Sequence, residues 1–224
     1  MIKLLFICFA TTLWGVSWDQ FKDQTISIDL PRIFGWCTKE KADKLMDFVV
    51  KTRPLLFVEI GSFGGATTYP IARALSFSGI GVVYAVDAWN LDACFEGYEM
   101  DDPHVLSLQA MQINMDGAHQ YLLSLLEVRQ LKSHCYPLRF RSDEAVAFFS
   151  DETIDTVYID GNDSIEGSLK DAMLYVPKVK KGGYLWLNAA HLPNKAKAIS
   201  YLIRHCDWLR EESLGIECIL FKKR

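Results

Sequence analysis

Short apolar runs alternate with amphipathic stretches along most of the chain, and this alternation limits the possible folds more than any other feature. The runs are LLFVEI (55–60), VVYAVD (82–87), YPLRF (136–140), TVYID (156–160) and YLWLN (184–188). Continuous apolar runs of this length are typical of parallel strands buried on both faces. Helical patterns separate them, KKGG (180–183) indicates a turn before the last run, and a hairpin pattern follows at 208–223. We therefore predict an α/β fold with a doubly wound, mostly parallel sheet and an antiparallel terminal hairpin.

The composition fits one main globular domain with a hydrophobic core. The chain has 224 residues, of which 50% are hydrophobic and 23% charged. Its net charge of -4 argues against a broad nucleic-acid interface. We place the domain at 54–224 and expect no integral membrane span in it. Residues 18–53 form an extension with a helix, and the polar, aromatic insertion at about 88–131 is expected to act as a lid over a site.

The first 17 residues differ from the rest of the chain. One lysine precedes an apolar run that ends near small residues. This pattern indicates either a secretory signal peptide or an apolar helix that docks on the domain. The first would place the protein outside the cytoplasm and the second inside it. Six cysteines without a C-x-x-C pair fit a reducing environment better than a disulfide framework.

The first apolar run leads into a glycine-rich turn, FVEIGSFGGATT (57–68). In parallel sheets, ligands bind outside the carboxyl ends of the strands. Gly61, Gly64 and Gly65 do not form G-x-G-x-x-G, and the lysine of a phosphate-binding loop is missing. Glu59 would repel a pyrophosphate but suits the positive sulfonium of S-adenosylmethionine. Among a dinucleotide, a phosphate and a nucleoside carried on sulfur, the turn favours the last.

Asp87 ends the second apolar run. A carboxylate at this point can accept hydrogen bonds from both hydroxyls of a ribose, as it also does in nicotinamide-binding folds. The alternative is that Asp87 only caps the next helix. A nicotinamide reductase is disfavoured, because the sequence has no G-x-G-x-x-G and no tyrosine followed by lysine four residues later.

Four motifs in order carry a family resemblance. They are VEIGSFGGAT (58–67), VYAVDAW (83–89), IDTVYIDGNDSIEG (154–167) and VKKGGYLWLN (179–188). With these motifs the sequence resembles the class I S-adenosylmethionine-dependent methyltransferases, and within them a small O-methyltransferase-like branch with an IDGDHSYEG-type motif. The resemblance covers residues 55 to about 190. It implies a seven-stranded, Rossmann-like sheet and S-adenosylmethionine as the cofactor.

The resemblance also implies a cofactor site built from the strand ends. Its expected members are Glu59, Gly61 and Ser62 at the methionine end, Gly65 in the same turn, Asp87 at the ribose, Ala88 and Trp89 beside the adenosine, Ser142 and Asp143 at the adenine edge, and Asp160 beneath the reactive methyl. For Trp89, packing in the core or lid is an equal alternative.

The metal-site positions of this branch are degenerate here. Metal-dependent members have an acid at the position of Asp160 and a polar pair after the fifth strand, where this sequence has Asn188 and Ala189. Because hard cations prefer several anionic oxygens, we expect no bound metal; a weak site of Asp160, Asp163 and Asn188 is the alternative. His191 is a candidate catalytic base, or else a surface histidine.

Two functional hypotheses are compatible with the sequence. The first is a methyltransferase that acts, without a metal, on an oxygen of a small molecule, with Asp160 and His191 as its catalytic residues. The second is a methyltransferase-fold protein that binds a ligand but does not catalyse, and that is exported if residues 1–17 are a signal peptide. An assembly of identical subunits is compatible with either.

Overall fold

Residues 15–224 are described by a computed structural model of the chain. The predicted signal peptide or docking helix at 1–17 therefore lies almost wholly outside the described residues.

A seven-stranded sheet forms the centre of the protein. Its strands are β1 (Leu56–Ile60), β2 (Val82–Asp87), β3 (Cys135–Arg139), β4 (Ile154–Ile159), β5 (Val179–Asn188), β6 (Cys206–Trp208) and β7 (Cys218–Lys223). They lie in the order β3-β2-β1-β4-β5-β7-β6. The first five strands are parallel, and β7 pairs antiparallel with both β5 and β6. The predicted fold class is confirmed.

Nine α-helices accompany the sheet within residues 15–224. They are α1 (Trp18–Asp23), α2 (Lys39–Thr52), α3 (Thr68–Ser78), α4 (Leu91–Phe95), α5 (Pro103–Ala110), α6 (Met115–Val128), α7 (Ser142–Ala145), α8 (Ile165–Tyr175) and α9 (Ala196–His205). None of the helices described is long and apolar enough to cross a membrane.

Burial on both faces explains the apolar strands. Phe57, Val58 and Ile60 of β1 are buried, and so are Val157 and Ile159 of β4. These two strands lie side by side in the middle of the sheet. The order reverses between them, since β2 and β3 extend to one side of β1 and β5 to the other side of β4. A crevice at their carboxyl ends is the expected ligand position in such sheets.

One local prediction was wrong. The glycines of KKGG (180–183) indicate a turn before the fifth strand, but in the structure these residues belong to β5. The pairing of β5 with β4 shifts register between Ile154 and Thr156, and Gly182 has a φ of 76°. Glycine therefore accommodates an irregularity inside the strand.

The N-terminal extension packs on the domain. Phe21 of α1 is buried, and its ring lies 5.0 Å from that of Phe77 in α3. The carboxylate of Asp29 accepts a hydrogen bond of 2.8 Å from the hydroxyl of Tyr69 and pairs at 2.9 Å with Arg129. Because a buried carboxylate is costly without such partners, these contacts fix the extension to α3 and α6.

Candidate functional site

A cavity of about 530 Å³ opens at the carboxyl ends of the parallel strands. Gly61 and Ser62 after β1, Asp87 at the end of β2, Asp160 after β4 and Asn188 at the end of β5 all line it. Its volume falls in the range of roughly 300–1,000 Å³ that is typical of small-molecule sites. The strand ends singled out in the sequence thus meet around one space.

Gly61 is required by the protein's own backbone. Its φ is 88°, and its amide donates a hydrogen bond of 2.8 Å to the carbonyl of Val86. A Cβ atom at this position would overlap the carbonyl oxygen of Asp160. The glycine therefore allows β1 and β4 to approach closely at the cavity floor, which is a different reason from the close approach of a ligand.

Gly65 serves packing outside the cavity. It has a φ of 94°, and a Cβ there would come within 2.7 Å of the side chain of Leu122 in α6. It does not line the cavity, although the sequence assigns it to the cofactor site.

Glu59 lies behind the glycine turn and not on the cavity wall. The side chain is fully buried, and Oε2 accepts hydrogen bonds from the hydroxyls of Ser62 and Thr68. Burial raises the pKa of Glu59 to about 8, while the two hydroxyls act in the opposite direction. The residue is therefore largely protonated at neutral pH, and it supports the turn from beneath.

Asp87 presents its carboxylate to the cavity in a fixed position. Oδ1 accepts a hydrogen bond of 2.7 Å from the amide of Trp89, and Oδ2 accepts one of 2.9 Å from the amide of Phe63. Burial raises the pKa of Asp87, and the two amides lower it. Each carboxylate oxygen can accept a further hydrogen bond, so both remain available to a ligand.

The two residues after Asp87 have different surroundings. Ala88 lines the cavity. Trp89 is 2% exposed and does not line it. The indole Nε1 donates to the carbonyl of Phe63 at 2.9 Å, and the ring packs on His119 with 4.3 Å between centroids. Trp89 is therefore packed in the interior and does not border the space for a ligand.

Ser142 and Asp143 also differ in their position relative to the cavity. Ser142 lines the cavity, and its hydroxyl donates a hydrogen bond of 2.5 Å to Asp171. Burial raises the pKa of Asp171 to about 6, against the effect of that hydrogen bond. Asp143 does not line the cavity; it pairs at 2.5 Å with Lys170, and this contact lowers its pKa.

Asp160, directly after β4, lines the cavity. Its Oδ1 accepts a hydrogen bond of 2.6 Å from the side-chain amide of Asn188, whose oxygen accepts one of 3.0 Å from Tyr158. Burial raises the pKa of Asp160 to about 7, whereas the positive charges of Lys41 and Lys195 lower it. The carboxyl group can thus change protonation near neutral pH.

These two buried lysines were not anticipated from the sequence. Lys41 lines the cavity, and Lys195 is fully buried with its Nζ atom 2.6 Å from a carboxylate oxygen of Asp163. Lys41 precedes Leu45 and Val49 by four and eight residues on α2, so its place on the buried helical face was a usable signal. No comparable pattern marks Lys195.

The histidine predicted as a catalytic base does not lie with Asp160 on the cavity wall. His191 is exposed and does not line the cavity. Among residues 15–224, no three His, Cys, Asp or Glu side chains lie together as a metal site would require. Asp163, one member of the weak alternative metal site, is instead paired with Lys195.

Part of the insertion at 88–131 covers the cavity. The side-chain amide of Asn162, in the loop after β4, donates to the carbonyls of Ala93 and Glu96 at 2.9 and 2.8 Å. Leu108 and Met111, from the same insertion, add apolar surface to the cavity wall. The insertion is thereby attached to the loop that carries Asp160.

A doubly wound sheet whose seventh strand is antiparallel, with a cavity at its switch point, defines the class I methyltransferase architecture. The family model described as "Methyltransferase domain" matches residues 58–188, and the chain belongs to this family. The search of curated proteins gives no match.

Solved structures share the fold at low sequence identity. The O-methyltransferase NovP has a TM-score of 0.66 and 15% identity, over 83% of this chain and 80% of NovP. The SAH-bound methyltransferase PaMTH1 of Podospora anserina has a TM-score of 0.59 and 7% identity, over 92% of this chain and 87% of that one. A methyltransferase of Geobacter sulfurreducens has a TM-score of 0.57 and 15% identity, with coverages of 94% and 91%.

Proposed function

We propose that the protein is an S-adenosylmethionine-dependent methyltransferase that methylates an oxygen of a small-molecule acceptor without a bound metal. One observation carries this proposal: the turn at Gly61, the carboxylate of Asp87 and the carboxyl group of Asp160 all border a single cavity. The family supports methyl transfer, and the solved O-methyltransferase with the same fold supports oxygen as the target.

The residues present fit the cofactor. Asp87 would accept the ribose hydroxyls with the lone pairs that its two amide contacts leave free. Ser62 would lie at the methionine end, Ala88 beside the adenosine and Ser142 at the adenine edge. When bound, S-adenosylmethionine supplies a methyl group activated on a positively charged sulfur. The protein's part is to hold cofactor and acceptor in line and to exclude water.

The donor set around Asp160 favours a metal-independent reaction. The carboxyl of Asp160 is engaged by the amide of Asn188, and Asp163 is engaged by the ammonium of Lys195. Ala189 offers no ligand atom in its side chain. A divalent ion such as Mg²⁺, which prefers carboxylate oxygens and dehydrates reluctantly, would meet a neutral amide and two lysines at this point.

A second candidate is a protein that binds the cofactor but does not transfer its methyl group. The exposed position of His191 favours it, because the base expected from the sequence does not line the cavity. Among the described histidines, only His104 of the insertion lines the cavity.

Methyl transfer can be tested without knowing the acceptor. The purified protein is incubated with S-adenosylmethionine carrying a labelled methyl group and with an extract of small metabolites, and labelled products are sought by mass spectrometry. A labelled O-methylated metabolite supports the first candidate. S-adenosylhomocysteine binding without any labelled product supports the second.

A further inference from the structure

Lys41 combines burial with a position on the cavity wall. The residue is 6% exposed, and it lies in the first turn of α2, whose cap is the side chain of Thr38. An ammonium group in such a place is costly unless it meets an acceptor or an opposite charge. The interactions that the Lys41 ammonium group lacks within the protein therefore indicate which chemical group a ligand would supply.

No partner among residues 15–224 fully satisfies Lys41. Its nearest carboxylate is that of Glu217, at 3.9 Å, which is beyond hydrogen-bond distance. No hydrogen bond from its Nζ atom to any described residue is found, although Lys195, the other buried lysine, has a carboxylate oxygen of Asp163 at 2.6 Å. Lys41 thus lines the cavity with an ammonium group that has a distant carboxylate but no hydrogen-bond acceptor among residues 15–224.

The sheet order separates Lys41 from the ribose end of the cavity. The charge of Lys41 acts on Asp160 after β4 and on Cys218 at the start of β7. Asp87 lies at the end of β2, on the other side of β1. A cofactor whose ribose is held at Asp87 and whose methionine end meets the β1 turn would leave the space near Lys41 for the acceptor.

Flat aromatic surface also lines the cavity, in part from Trp36, which lies just before the start of α2. The rings of Trp36 and Phe63 are stacked, with 5.1 Å between centroids and an interplanar angle of 14°, and both line the cavity. Trp36 is 61% exposed. Exposed, stacked aromatic rings beside a cavity suit a planar apolar ligand.

We propose that Lys41 binds the oxygen of the methyl acceptor, and that the acceptor is a planar, phenol-type molecule held as its oxygen anion with its ring against Trp36. This proposal rests on the proposed function, since it assigns the acceptor end of the same cavity. The ammonium of Lys41 donates hydrogen bonds to the acceptor oxygen. Asp160 lines the same cavity, close enough for the charge of Lys41 to act on it.

The test measures binding to the complex of the protein with S-adenosylhomocysteine. The probe is 4-nitrophenol, used above its pKa so that it is ionised, and nitrobenzene is the neutral counterpart of similar shape. Isothermal titration is carried out on the wild type, Lys41→Met and Trp36→Ala. Lys39→Met is the matched control, because Lys39 is an exposed lysine of the same helix turn.

The expected affinities distinguish the contribution of the Lys41 charge from that of stacking on Trp36. Lys41→Met weakens nitrophenolate binding by roughly tenfold or more but leaves nitrobenzene binding and S-adenosylhomocysteine affinity unchanged. Trp36→Ala weakens both aromatic probes. Lys39→Met changes none of the three affinities.

Three results would overturn the proposal. The first is a wild-type complex that does not bind nitrophenolate, and the second is an unchanged nitrophenolate affinity in Lys41→Met. The third is a loss of S-adenosylhomocysteine affinity in Lys41→Met while 5′-methylthioadenosine, which lacks the amino-acid group, binds normally; Lys41 would then bind the methionine carboxylate. Failure of the wild type to bind S-adenosylhomocysteine would instead refute the proposed function itself.

Discussion

The carboxylate of Asp87 and the backbone amide of Phe63 are joined by a hydrogen bond of 2.9 Å. This contact ties the end of β2 to the turn after β1, across the edge of the cavity. A second bond, of 2.7 Å from the amide of Trp89, fixes the other carboxylate oxygen. The proposed ribose-binding group is therefore held in place by the protein itself.

Replacing Asp87 by asparagine should weaken S-adenosylhomocysteine binding by roughly tenfold or more, since hydrogen bonds to a charged acceptor contribute about 1.5–3 kcal/mol each. Asparagine keeps the shape and one acceptor oxygen, but its NH₂ group faces one of the two backbone amides, so one hydrogen bond to the turn is lost as well. Isothermal titration measures the affinity, and circular dichroism checks the fold. Asp101→Asn, at an exposed acid, is the control. Equal affinities in both variants would remove Asp87 from the cofactor site.

Gly61→Ala should destabilise the fold even without any ligand. The added Cβ would overlap the carbonyl of Asp160, and φ is 88°. Left-handed strain and overpacking together predict a loss of roughly 2–5 kcal/mol in the free energy of unfolding. Gly79→Ala, where φ is 68° but no atom lies within 4 Å of the added Cβ, should lose only about 1–2 kcal/mol. Urea unfolding that gives equal losses would contradict this reading of the turn.

The stability of the protein should depend on pH through Glu59. Its pKa is about 8 in the folded protein against an ordinary value of 4.5. Between these values the folded state holds a proton that the unfolded state releases, so the free energy of unfolding falls as pH rises through this window. The stabilising contribution is complete below 4.5 and is lost as pH rises through about 8.

Glu59→Gln isolates this effect, because glutamine has the shape of the protonated acid and does not titrate. Urea unfolding from about pH 5 to about pH 8 should show a shallower decline in the variant, by up to about 1.4 kcal/mol per pH unit. Asp160 and Asp171 remain in both proteins and give a common background of the same sign. Parallel curves would show that Glu59 is ionised throughout.

Methyl transfer, once an acceptor is known, should survive a chelator. Asp160 and Asp163 are occupied by Asn188 and Lys195, so the cavity floor has few free anionic oxygens for a cation. Activity is measured with EDTA and then with added Mg²⁺ or Mn²⁺. Activity that disappears with EDTA and returns with either ion would assign a metal to Asp160, Asp163 and Asn188.

The fold was predictable because its signals are local. Apolar runs such as VVYAVD (82–87) coincide with strands, and buried parallel strands require such runs. KKGG (180–183) was misread because glycine is typical of both turns and strand irregularities, and only the pairing partner β4 distinguishes the two.

The site was predictable only as far as strand ends determine it. Gly61, Asp87 and Asp160 follow strands and therefore meet at the cavity. Gly65 and Trp89 occur in the same motifs but point into the packing around α6, and this depends on side-chain direction and tertiary contacts. Lys41 comes from a helix before the first strand, so its place at the cavity depends on how α2 docks.

The most direct test of the central claim is isothermal titration of the wild-type protein with S-adenosylhomocysteine, with NAD as the comparison nucleotide. We expect saturable binding of one S-adenosylhomocysteine per chain, competition by S-adenosylmethionine and no binding of NAD. A folded protein that binds NAD, or that binds neither S-adenosylhomocysteine nor S-adenosylmethionine, would show that the cavity is not a site for S-adenosylmethionine.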